Sequence, residues 1–365
     1  MSRLFVTYRI RSEAPAIEAR ADALALEQSV ELPRAVVHDP GILADIVGQV
    51  DAIDDRGDGT FAVRVALAEV TTGAEPGQLM NMLFGNTSIH DDVVLEDVAL
   101  TPALEAAFGG PRQGLDGFRR RTGAVGRAMT CSALKPQGLS PAALAALAGQ
   151  LARGGIDIIK DDHGLADQSY SPFAARVHAC AAAVRDANRA GGGRTVYVPS
   201  LSGNLDQLRR QIAVVRQEGL DAVLAAPMVI GLPSFHALAQ GFPDMAFMAH
   251  PAMAGAQRIA PPLLIGKLFR LFGADATIFP NHGGRFGYSP EICWNIAALA
   301  RAPWGGMRTC APVPAGGMSL ARVPEMLDFY GPDTILLIGG ALLAARERLT
   351  EETAALVRHV AGHAP

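Results

Sequence analysis

Lysine is almost missing from this chain, which has three lysines beside 29 arginines. Where arginine is the default surface cation, a lysine kept at a strand end points to a need for a primary amine. An amine can lose its proton near neutral pH, attack a carbonyl, or take up carbon dioxide as a carbamate; a guanidinium cannot. Lys135 and Lys160 both end strand-like runs, and the plain alternative is two ordinary surface cations. Cysteine is also scarce. Cys131, Cys180, Cys293 and Cys310 stand far apart with no CxxC spacing, which argues against a zinc site or a disulfide framework. Long apolar runs are lacking too: the stretch from Thr334 to Ala345 is short and broken by Gly339-Gly340, so no membrane partner is expected. Met1 to Val6 has no charged-then-apolar signal pattern, and a cytoplasmic location is the expectation. The net charge is -4 and the arginines are scattered, which gives no surface suited to nucleic acid.

At 365 residues, the length fits two domains or one barrel with an extension. From residue 125 onward, short apolar runs at 125–134, 156–160, 195–199, 222–226, 245–249, 276–280, 309–313 and 334–338 alternate with helix signals. Ser140-Pro141, Ser171-Pro172 and Ser289-Pro290 open helices, and Gly154-Gly155 and Gly191-Gly192-Gly193 close two of them. Eight such units predict a (β/α)8 TIM barrel over residues 121–365. A doubly wound sheet would announce a glycine-rich loop after its first strand, and none is present. The first 120 residues read as an α+β, ferredoxin-like domain with an antiparallel sheet. Leu4 to Arg9 and Phe61 to Leu67 alternate like half-buried strands, Ala14 to Glu27 reads as a helix, and Asp54 to Gly59 as a hairpin turn. Pro111 to Gly126, with Arg119-Arg120-Arg121, reads as the linker.

In such a barrel the loops after the strands build the active site. Lys160 and Asp162, two apart, project to the same side of an extended chain, and His163 follows at the turn. Either Lys160 is a cation held by the neighbouring acids, or carbon dioxide converts it to a carbamate. In the second case the carbamate, Asp162 and His163 would hold one divalent metal. Oxygen ligands favour magnesium, while the imidazole makes manganese an alternative. His250 ends the fifth apolar run and is a candidate for catalysis or a structural histidine. Gly316-Gly317 and Gly339-Gly340 follow the seventh and eighth runs, the loops that bind phosphate in many barrels.

Together these residues resemble the large subunit of RuBisCO and the RuBisCO-like proteins. Gly154 to Asp162 is similar to that family's carbamylated-lysine motif, and Ala133-Leu134-Lys135-Pro136 to the segment carrying an acid–base lysine. Phe84-Gly85-Asn86 with Leu95-Glu96-Asp97 resembles the N-terminal motif whose asparagine reaches the metal-bound substrate. Leu26-Glu27-Gln28-Ser29 resembles the segment with an N-terminal glutamate. The resemblance implies catalytic roles for Lys135, His250, Asn86 and Glu27, metal ligation by Lys160, Asp162 and His163, and phosphate binding by the two glycine pairs. His282 and Arg285 are candidate loop contacts. It also implies an obligate homodimer, the N-terminal domain completing the partner's site.

The departures set the expected activity. His163 stands where the carboxylases keep Glu, Pro251 where an Arg grips a second phosphate, Ala254 where a histidine follows, and Gln137 where they have Lys. The loop from Phe279 to Tyr288 has no lysine to guide carbon dioxide. A carboxylase acting on a bisphosphate is therefore not expected. What survives is enolising machinery for a singly phosphorylated ketose, and the resemblance implies an isomerase acting on 5-methylthioribulose 1-phosphate in methionine salvage. Phe279 and Phe286 are candidates to hold the methylthio group. The alternatives are a 2,3-diketo-5-methylthiopentyl-1-phosphate enolase, a decarboxylase of a branched oxo-sugar-acid phosphate, and a non-catalytic sugar-phosphate binder.

Overall fold

The computed structural model describes residues Met1–His363; residues 364 and 365, part of the expected barrel domain, lie outside the described residues. Contacts divide the chain into two units: Met1–Gly109 with Met253–Leu264, and Gly110–Ala252 with Ile265–Pro365.

The first unit is built on four strands, β1 (Arg3–Arg11), β2 (Gln49–Asp55), β3 (Thr60–Ala68) and β4 (Val93–Ala99), in the order β2-β3-β1-β4. Every pair is antiparallel. Helices Ile17–Glu27 and Pro76–Phe84 follow β1 and β3, which completes the βαββαβ order of a ferredoxin-like fold. Leu4, Val6, Tyr8 and Ile10 alternate along β1 and are fully buried. Ile17, Ala21, Leu24 and Ala25 form the buried stripe of the first helix. Gly48 is a point of close approach: a Cβ there would lie 2.4 Å from the carbonyl oxygen of Ala25. The segment 253–264 extends the edge at β4, where Leu95 N–H donates to Arg258 O and Ala260 N–H to Leu95 O.

The second unit is a barrel of eight parallel strands: β5 (Met129–Leu134), β6 (Ile158–Asp161), β7 (Val196–Val198), β8 (Ala222–Ala225), β9 (Ala246–Ala249), β10 (Ala276–Pro280), β11 (Ala311–Ala315) and β12 (Ile335–Leu337). β12 pairs with β5, and the seam between β7 and β8 closes just beyond β7, where Ser200 bridges Leu224. Met129, Cys131, Ile158, Leu224, Met248, Ile278, Val313 and Ile335 fill the interior, so the barrel is a packed core with its chemistry at the rim. Ser140 and Ser289 cap helices Pro141–Arg153 and Pro290–Arg301, accepting from Ala143 N–H and Ile292 N–H. Ser171 does not cap helix Phe173–Gly191; Asp167 Oδ1 accepts from Phe173 N–H in its place.

The boundary between the units falls at Gly109–Gly110, ahead of the expected position after residue 120. The expected linker instead holds helix Gly114–Thr122, whose Leu115 and Phe118 join the barrel core. Asp275 ties the helix start in place, accepting from Gln113 N–H and Gly114 N–H, and from Phe247 N–H on its other oxygen. Arg119 pairs with Asp333 and Arg121 with Asp221, so two of the three arginines anchor loops of the barrel.

Candidate active site

β6 is buried along all four residues. Alternation turns Ile158 and Lys160 toward the barrel interior and Asp161 toward the helix layer, with Asp162 back on the side of Lys160. Asp161 is fully buried among Arg176 Nε at 3.0 Å, Tyr197 Oη at 2.8 Å and Ser200 N–H at 3.1 Å. Burial raises its pKa, and the Arg176 charge opposes the rise. Arg176 in turn donates to Ser171 O and Ala166 O, which fixes the loop after β6. Arg176 and Tyr197 were not foreseen from sequence. Sequence offers only half of the signal: an acid between two interior-facing residues faces the helix layer, where it needs a buried cation, but the fold decides which residue supplies it.

Lys160 is 3% exposed, and its ammonium donates to Asp161 O at 3.0 Å. Desolvation lowers its pKa, against the pull of Cys131 and Asp162, which shifts it toward the free amine that can attack carbon dioxide. Lys135 Nζ lies 2.9 Å from Asp162 Oδ2. His163 Nδ1 stands 2.9 Å from Asp162 Oδ1, yet that buried oxygen accepts no hydrogen bond. Burial alone would raise the Asp162 pKa, but His163 and the two lysines hold it below the usual carboxylate range.

The imidazoles of His163 and His250 lie stacked, centroids 4.0 Å apart and planes within 9°. Ala252 N–H donates to His250 Nδ1 at 3.1 Å, so Nδ1 carries no proton and the neutral ring keeps its proton on Nε2. Burial, with the charges of Lys160 and His163, brings the His250 pKa down to about 2. The structure thus gathers Lys135, Lys160, Asp162, His163 and His250 into one cluster at the C-terminal rim of the barrel.

Among the described residues no three His, Cys, Asp or Glu side chains form a metal cage. Asp162 and His163 supply two donors, and Asp162 Oδ1 is a buried oxygen with no hydrogen bond to satisfy it. The donor set fits a divalent cation once the Lys160 amine, buried and shifted toward its free form, becomes a carbamate.

The phosphate candidates lie on the same rim, since Ala315 of β11 pairs with Leu337 of β12. Gly316 and Gly317 have φ of 81° and 70°, a left-handed turn that favours glycine. Cβ atoms at Gly339 or Gly340 would meet nothing. In the loop after β10 the His282 ring packs on Phe329, centroids 4.7 Å apart, while Arg285 lies over the Phe286 ring at 4.8 Å. Phe279 is fully buried against Tyr330 and belongs to the core, not to a substrate contact.

In the first unit, Asn86 Nδ2 donates to Glu27 Oε1 and Glu31 Oε1, both at 3.0 Å. Gln28 stitches the two segments together, donating to Met82 O and accepting from Thr87 Oγ1. Both hydrogen bonds engage the amide nitrogen of Asn86, which leaves Oδ1 as its acceptor. Glu31, at φ 55°, was not foreseen; its role depends on a left-handed backbone that sequence does not announce.

A ferredoxin-like unit together with a parallel barrel whose rim carries a buried amine, an adjacent carboxylate and two imidazoles is the layout of a barrel enzyme. Residues 114–287 match the family model of the ribulose bisphosphate carboxylase large chain, catalytic domain. The 5-methylthioribulose-1-phosphate isomerase of Rhodospirillum rubrum is 59% identical over 99% of this chain and 97% of its own length. The crystal structure of a Rubisco-like protein from Rhodopseudomonas palustris has a TM-score of 0.94 at 55% identity, covering 100% of this chain and 99% of that one. A 2,3-diketo-5-methylthiopentyl-1-phosphate enolase of Geobacillus thermodenitrificans is 30% identical over 94% of this chain and 88% of its own. The chain belongs to the RuBisCO large-chain family, among its RuBisCO-like proteins. Among the described residues no helix is long and apolar enough to cross a membrane.

Proposed function

We propose that this protein enolises and isomerises a singly phosphorylated ketose, 5-methylthioribulose 1-phosphate, by moving a proton on the carbon next to the ketone. The observation that carries the reading is the clustering of Lys135, Asp162, His163 and His250 around the buried Lys160 amine. The identity to the Rhodospirillum rubrum isomerase supports the choice of substrate. A divalent cation, magnesium or alternatively manganese, would be held by Lys160 as its carbamate with Asp162 and His163, and would draw electron density from the substrate carbonyl.

The chain's own residues supply the rest. His250 is neutral at working pH with Nδ1 occupied, so it donates a hydrogen bond through Nε2 to the oxygen on which charge develops. It is therefore not the base. That assigns proton movement to Lys135, held against Asp162; a positioned base contributes roughly two to four powers of ten. Gly316-Gly317 and Gly339-Gly340 cradle the phosphate. A bisphosphate is excluded from this reading because Pro251 replaces the cation expected to grip a second phosphate. Glu27 and Asn86 are assigned to the partner's site in a cytoplasmic homodimer; an active monomer by light scattering would contradict that.

The enolase reading is the nearest rival, favoured by the Geobacillus thermodenitrificans relative. Incubation with each of the two phosphorylated substrates, followed by NMR identification of products, separates them. Turnover of the ribulose phosphate supports isomerisation, turnover of the diketo compound alone supports the enolase, and turnover of neither overturns both of these readings.

A further inference from the structure

We infer that Arg285 supplies the positive charge of the phosphate cradle, a step that rests on the proposed reading of Gly316-Gly317 as that cradle. Two glycines offer only backbone N–H groups, whereas a phosphate monoester carries between one and two negative charges at neutral pH. A fixed cation beside the turn is the missing part.

The loop after β10 is tied to the loop after β11 in a way that places one there. At its base, Asn281 N–H donates to Ala315 O at 2.8 Å. The Asn281 side chain is buried, accepting from Tyr330 Oη at 2.6 Å and donating to the sulfurs of Met326 and Met318 at 2.9 and 3.2 Å. Further along, the two backbones touch. A Cβ on Gly317 would lie 2.5 Å from Gly284 Cα and 3.4 Å from the backbone nitrogen of Arg285; one on Gly284 would lie 2.5 Å from Gly316 O. The next residue, Phe286, lines the same turn, its ring 3.7 Å from a Cβ built on Gly316. The Arg285 guanidinium rests over that ring at 4.8 Å, an arrangement that orients a planar cation without neutralising it.

The neighbouring cations are already engaged. Arg322 also approaches this loop, but its guanidinium is paired with Glu325 and donates to His282 O. Lys135 is paired with Asp162. Among the described residues Arg285 makes no ion pair, and it is exposed. A planar fork of donors suits a phosphate monoester, which it can engage through two oxygens.

Inorganic phosphate is the probe, read by the rise it causes in melting temperature and by calorimetric titration. Because Arg285 is an exposed loop residue, R285Q is expected to fold as wild type does. Phosphate should stabilise the wild type, and R285Q should bind it at least about tenfold more weakly, with R285K between the two. Gly316→Ala, which forces a side chain onto the left-handed turn, should also lose the stabilisation. If G316A loses it while R285Q keeps it in full, the cradle stands and the role of Arg285 is overturned. If the wild type gains nothing from phosphate, or G316A keeps the whole effect, the cradle reading fails and this inference fails with it.

Discussion

His163 and His250 lie face to face at 4.0 Å, and only one of them has a ring nitrogen fixed by the backbone, through Ala252 N–H. The pairing gives the two imidazoles different surroundings. His250 becomes a neutral donor, and His163 remains beside the carboxylate of Asp162. Removing the donor should cost catalysis without unfolding the barrel. His250→Ala is expected to lower kcat by about 10²-fold, the scale for losing one donor to a developing oxyanion. His250→Gln, which keeps an N–H, should retain more of it. Equal losses in the two variants would contradict the donor role.

The same histidine sets an acid sensitivity. An unfolded imidazole titrates near 6.5, whereas burial and then the charges of Lys160 and His163 bring His250 down to about 2. Between those values the unfolded chain binds the proton first, so stability rises with pH across the window. The contribution is complete above roughly pH 6.5 and is lost as the pH falls toward 2. Urea midpoints at about pH 7.5 and 5 should therefore differ more for wild type than for H250Q. An identical pH dependence in both would rule this out.

Asp162→Asn removes the carboxylate that Lys135 and His163 both approach. The variant should fold, but its manganese affinity, measured by calorimetry with bicarbonate present, should drop by more than the 10–100-fold typical of disturbing a group one step further from a metal. Unchanged affinity would remove Asp162 from the proposed ligand set.

Arg176 and Asp161 are both fully inaccessible to solvent. Arg176→Met would leave the acid buried without its cation, at a cost of about 3–5 kcal/mol. Chemical denaturation would show this, and a loss below about 1 kcal/mol, the range of an exposed pair, would contradict it.

The barrel was legible because each of its strands is a short apolar run bounded by helix caps. β2 and β4 were not read as strands. No residue of β2 is buried and four of its seven are exposed, so its alternation is weak, and Val93–Ala99 drew notice as a motif instead. The helix at 114–122 was hidden by Arg119-Arg120-Arg121, although Leu115 and Phe118 sit three apart on its buried face. In the site, Lys160 and Asp162 followed from a spacing of two on a strand. Glu31, Arg176 and Tyr197 did not, because each meets its partner across chain separations or backbone angles that local pattern does not encode.

Solvent-deuterium uptake into 5-methylthioribulose 1-phosphate, followed by NMR with magnesium and bicarbonate present, tests the central claim most directly. Wild type should place deuterium on the carbon beside the ketone, and Lys160→Arg, folded to the same melting temperature, should place none. No uptake by the wild type, or equal uptake by K160R, would contradict enolisation at this site.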